Sequence, residues 1–114
     1  MSEKITLRKL DGVWVLRAAG AIIAETTNAI ELSEDGYTDV IYFPREDIAM
    51  AFLDVSQKTT HCPHKGDATY FDIQTKNGPI QNAGWSYEIP KAHVAEIAEH
   101  IAFAPHEKLA VEKL

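Results

Sequence analysis

Two runs of alternating side chains, residues 68–74 and 80–87, are separated by Asn77-Gly78, and no other feature constrains the fold so tightly. Residues two apart on a strand share a face, so Ala68, Tyr70 and Asp72 point one way and Thr69, Phe71 and Ile73 the other. Asn-Gly readily adopts the positive φ angles of a tight reversal, which predicts that the two runs pair as a hairpin. An isolated hairpin is marginal in water, so this one must bury a face against further structure.

The rest of the chain offers that structure in short β-type pieces. Ile5 and Leu7 alternate, residues 13–16 and 21–24 flank a turn near Gly20, and residues 29–32 precede the polar turn Ser33-Glu34-Asp35-Gly36. Val40-Ile41-Tyr42-Phe43 is another β-branched and aromatic run, stopped by Pro44, and residues 101–103 and 109–112 finish the series. Pro44-Arg45-Glu46-Asp47 predicts one or two helical turns over residues 45–50, because proline and acidic side chains suit a helix's first turn. After Pro90, the spacing of Val94, Ile97, Ala98 and Ile101 predicts one longer helix over residues 91–99.

Many short strands with frequent turns favour a mainly β fold, or more broadly α+β: a small two-sheet sandwich or partly open barrel with short helical segments. At 114 residues the expectation is a single domain spanning 1–114. The 46% hydrophobic content can supply its core without a metal or a disulfide.

Charge and cysteine usage narrow the function. Eleven Lys and Arg stand against 17 Asp and Glu, a net charge of −6 that repels a phosphate backbone, so no nucleic-acid partner is expected. Cys62, the single cysteine, has no partner for an intramolecular disulfide, and residues 1–5 lack the pattern of a secretory signal, so the expected location is cytoplasmic. The longest apolar stretch, residues 18–24, is far short of the roughly 20 residues a membrane span needs, and no membrane partner is expected.

Reactive side chains are densest in His61-Cys62-Pro63-His64-Lys65-Gly66-Asp67, read as a turn between strands. Pro63 and Gly66 have a purely structural reason to be there, since turns use both. Lys65 beside Gly66 pairs an ammonium with an exposed loop amide, a combination that holds carboxylates or phosphates, and Arg45 is a second cation from another turn. Each would otherwise be an ordinary surface charge. Cys62 and Lys65 are weak catalytic candidates: a nearby cation would favour the thiolate, yet no spacing places a base, and a lone cysteine is commonly a small buried apolar residue. Adjacent His61 and Cys62 point to opposite faces of an extended chain, and no second ligand pair follows at zinc-finger spacing, so no metal site and no cofactor are expected. Tyr70, Trp85 and Tyr87 combine flat apolar faces with polar tips and suit either a pocket wall or a core.

Four segments carry a resemblance: residues 42–47, residues 60–68 with their Cys-Pro-x-Lys-Gly core, residues 83–87, and residues 100–103. Together they resemble the family catalogued as domain of unknown function 427, over roughly residues 13–113. The resemblance implies a compact, mostly β domain without an established activity, and points to Arg45, Asp47, Cys62, Lys65, Tyr70, Trp85 and Tyr87. Many relatives look aromatic where Ala104 stands in this chain. The family has also carried a nucleotidyltransferase label, but that chemistry uses paired carboxylates near a Gly-Ser turn to hold two metal ions, and the sequence has no such turn followed by spaced acids.

The reading that follows is a pocket for a small, anionic organic ligand formed by Arg45, Lys65, Tyr70, Trp85 and Tyr87. Whether the chain is an enzyme is left open. The alternatives are a non-catalytic interaction or structural module, with the aromatics forming a core or a homodimer face, and, further off, a nucleotidyltransferase-like or cysteine-dependent enzyme.

Overall fold

A computed structural model describes residues 4–114. Its strands are β1 (Ile5–Lys9), β2 (Trp14–Ala18), β3 (Ala21–Thr26), β4 (Ile30–Glu34), β5 (Val40–Pro44), β6 (Leu53–Cys62), β7 (Gly66–Thr75), β8 (Gly78–Tyr87), β9 (His100–Phe103) and β10 (Leu109–Lys113). Seven of them form one antiparallel sheet in the order β1-β4-β5-β9-β8-β7-β6, and β10-β2-β3 form a second. The hairpin expected around Asn77-Gly78 is present: Thr75 pairs with Gly78 at the turn and Ala68 with Tyr87 at the far end. The fold is thus mainly β with short helical segments, as the strand pattern predicts.

Alternation along the central strands separates two apolar clusters. Phe43, Phe71, Ile73, Ile101 and Phe103 face the small sheet and pack with Leu16, Ala18, Ile23 and Ala24. Phe43 and Phe103 meet edge to face, their centroids 5.9 Å apart, the arrangement ring quadrupoles favour. Their sequence neighbours Tyr42 and Ala102 point through the large sheet to a second cluster with Leu32, Ala68, Tyr87, Val94 and Ile97. The candidate site lies on this second face.

One expectation for helices is met and one needs correcting. The short helical turns expected over residues 45–50 are present as 3-10 turns at Arg45–Asp47 and Met50–Phe52, separated at Ile48, which makes a β-bridge with Ala24. The longer helix over residues 91–99 is absent; Ala92–Ile97 is a 3-10 segment broken at Val94. The reason is that Ile101, counted into the helical spacing, belongs to β9, held between β5 and β8. That leaves Val94 and Ile97 as the buried anchors, three residues apart, which is the period of a 3-10 turn. Among the described residues no helix is long and apolar enough to cross a membrane.

The segment read as a loop from His61 to Asp67 is shorter than expected. β6, which the apolar pattern does not reveal, includes His61 and Cys62, and β7 begins at Gly66, leaving Pro63-His64-Lys65 as the tip. Most of β6 is exposed on both faces, so its side chains carry no alternation to read.

Candidate functional site

On the second face of the large sheet, the β6–β7 tip overhangs a cleft of about 800 Å³. Its wall is aromatic. Tyr70 on β7 and Trp85 on β8 are cross-strand partners, with ring centroids 6.3 Å apart and planes tilted by 40°. Tyr87, two residues beyond Trp85, continues the same face, and Tyr42 reaches it from β5. Trp85 Nε1 donates to the Tyr42 hydroxyl at 3.3 Å, and the Tyr70 and Thr60 hydroxyls share a hydrogen bond of 3.1 Å.

Lys65 leans into the cleft from the tip and donates to Glu34 Oε1 at 2.8 Å. The two side chains are only 13% and 7% exposed, so this is an ion pair largely removed from water rather than a surface contact. Burial pulls the Lys65 ammonium toward losing its proton, but the hydrogen bond to Glu34, with Tyr87 and Cys62 nearby, outweighs it and holds Lys65 above the usual lysine range. Its Nζ also lies 5.8 Å from the centroid of the Tyr87 ring. Burial likewise pushes the Tyr87 hydroxyl up to about 12, opposed in part by Lys65. Tyr42 is raised beyond the usual tyrosine range by burial, only partly offset by Trp85. Both tyrosines therefore face the cleft as neutral hydroxyls at ordinary pH.

The tip itself is fixed by backbone bonds. Lys65 N–H donates to the Cys62 carbonyl at 3.2 Å, and Lys91 N–H donates to the Lys65 carbonyl at 3.0 Å. Gly66 has a φ of +117°, and a Cβ there would stand 3.2 Å from the Ile89 carbonyl oxygen. Only glycine combines this φ with that approach, so the Lys-Gly pair in the sequence is a positioning device for Lys65.

Of the residues singled out in the sequence, Lys65, Tyr70, Trp85, Tyr87, Cys62, His61 and His64 come together around this cleft. Arg45 does not line it. Its guanidinium bonds Ser86 at 2.9 Å, also pairs with Glu88, and sits 5.4 Å over the Phe71 ring. Ser86 alternates with Trp85 and Tyr87 on β8, so Arg45 lies on the opposite face of the sheet and its place in the expected constellation is corrected. Asp47 accepts a hydrogen bond from Thr26 at 2.7 Å and braces β3 rather than lining the cleft. Cys62 is half-buried at the cleft edge, and His61 Nδ1 is 2.6 Å from Asp67 across the hairpin.

Several contributors escaped the sequence reading, among them Tyr42, which was read only as part of a strand run and of the segment 42–47. Glu34 looked like part of a polar turn but ends β4 and is buried. Lys58 and Asn82 reach the cleft next to irregularities in strand register, between Val55 and Thr59 and between Phe71 and Ile73. Asn82 has a φ of 51°, and its N–H donates to Asp72 Oδ1 at 2.8 Å. The positive-φ tolerance of asparagine was the one signal available for that bulge.

A family model described as a domain of unknown function (DUF427) matches residues 6–113. The chain belongs to this family. No curated protein matches the chain significantly. Among the described residues, no three His, Cys, Asp or Glu side chains converge as a metal site would require. The DUF427 segment 60–68 is thus the end of one strand, a hairpin tip and the start of the next, bearing Cys62 and Lys65 on the cleft.

Proposed function

We propose that this DUF427 chain binds a small organic molecule in the cleft beneath the β6–β7 tip, the flat part of the ligand lying against Trp85, Tyr70 and Tyr87. The observation that carries this reading is the meeting of the aromatic wall with a sequestered Lys65–Glu34 ion pair in one hollow. Its volume of about 800 Å³ is within the usual range for small-molecule sites, roughly 300–1,000 Å³. Neutral Tyr42 and Tyr87 hydroxyls and the Asn82 amide supply hydrogen-bonding groups that fix orientation. The anionic preference expected for the ligand cannot come from Arg45, which is on the other face.

The test is a thermal-shift screen with aromatic and heteroaromatic metabolites, repeated on Trp85→Ala. A ligand of the cleft raises the melting temperature of the parent chain through mass action and fails to do so in the variant. A panel without hits would favour the interaction-module reading. That reading draws on exposed Ile22 and Phe52 beside a second hollow of about 700 Å³ near residues 18–23.

A further inference from the structure

We propose that the ligand is a planar organic anion, an aromatic or heteroaromatic carboxylate, with its carboxylate at the mouth of the cleft on Lys58 and its ring on the Trp85 wall. This rests on the small-molecule reading above and adds the charge and the orientation of the ligand.

The charges around the cleft decide the orientation. Lys65 is the deeper cation, but Glu34 is 2.8 Å from its Nζ, so an anion drawn to Lys65 meets an equally close carboxylate. The charge of Lys65 is therefore already answered by a carboxylate inside the cleft. Lys58 differs. Its ammonium stands 4.7 Å from the centroid of the Tyr70 ring, and among the described residues it makes no ion pair. Tyr70 in turn faces Trp85 and is steadied by Thr60, so the cation is held over the aromatic wall by a ring whose own position is fixed. Two lysines against the single carboxylate of Glu34 leave the lining cationic in a chain whose net charge is −6. Of the other nearby carboxylates, Asp67 is turned to His61 Nδ1 and Asp72 accepts from the Asn82 N–H. An elongated cation would meet the Lys58 charge at the entrance, and a neutral ring would gain only the wall. A flat carboxylate gains both, because its acceptor oxygens meet an ammonium donor while its ring covers Trp85.

Isothermal titration with matched pairs tests this: benzoate, 2-naphthoate, indole-3-carboxylate and quinoline-2-carboxylate, each beside its neutral carboxamide. The pairs keep the ring and change only the charge. For the rings that bind, the carboxylate is expected to bind about tenfold tighter than the carboxamide, a ratio that a single charge-assisted hydrogen bond can supply. The ratio should shrink as salt is raised. Lys58→Gln should bring it close to one, weakening the carboxylate far more than the carboxamide. Lys58 is exposed, so this variant keeps the fold. Equal binding of acid and amide in the parent chain, or a preference that survives Lys58→Gln, overturns the charge assignment and leaves the aromatic pocket standing. Failure of every ring, charged or neutral, overturns both.

Discussion

Lys65 and Tyr87 face one another across the cleft, and their protonation ties the site to the stability of the whole chain. Tyr87 is raised from 10.0 to about 12, chiefly by burial, and Lys65 is held above its ordinary 10.5 by Glu34 despite burial. Both groups keep their protons in the fold to higher pH than in the unfolded chain. Their contribution is therefore fully present below pH 10.0, where unfolded tyrosine is still protonated, and drains away as pH climbs through about 12. Tyr42, raised by burial in the same direction, adds to the alkaline loss. Urea titrations at steps above about pH 10 should show the unfolding midpoint falling. Tyr87→Phe removes one of the titrating groups and should make the fall shallower. A midpoint that stayed flat or rose over this range would contradict the burial of these hydroxyls.

At the level of elements, the β6–β7 hairpin brings the site together, and its tip depends on one backbone conformation. Gly66 at φ +117° lies under the Ile89 carbonyl, so Gly66→Ala both strains the backbone and crowds it. A cost of about 1–3 kcal/mol is expected in urea denaturation, together with weakened cleft binding because Lys65 is displaced. Gly78→Ala is the informative comparison, since its φ is +100° but no heavy atom outside its chain neighbours lies within 4 Å of a Cβ there; it should cost less. If the two substitutions cost the same, the contact with Ile89 contributes nothing. Hairpin β7–β8 was legible in the sequence because its strands alternate and its turn carries Asn77-Gly78. β6 was not, because a strand exposed on both faces has no apolar period. Trp85 and Tyr87 could be placed on one face from their spacing alone, whereas Tyr70 joins them through the hairpin register. Glu34, Lys58 and Asn82 could not, since long-range pairing and register shifts bring them there. Arg45 was misplaced for a related reason: sequence marks a cation but not which side of a sheet its turn delivers it to.

Across the whole molecule, the seven-stranded sheet works as a partition between two tasks. One face packs against β10-β2-β3 and forms a core of fully buried side chains such as Phe43, Ile73 and Ile101, while the other is only partly covered, leaving the cleft beside the second cluster. Substitutions on the two faces should separate stability from binding. Phe43 is 0% exposed, and Phe43→Ala leaves a cavity between the sheets worth about 3–5 kcal/mol, read as a lower urea midpoint. Its cleft affinity, measured where the variant is still folded, should stay within about twofold of the parent, as is usual for sites without shared contacts. Trp85→Ala should behave oppositely. Trp85 is half-buried and packs against the second cluster, so some stability is lost, but the larger effect is on ligand affinity, expected to fall about tenfold or more with the loss of an aromatic anchor. Should Phe43→Ala weaken binding as much as Trp85→Ala, the two faces would be coupled through the sheet, and the cleft would have to be treated as part of the same packed unit as the core.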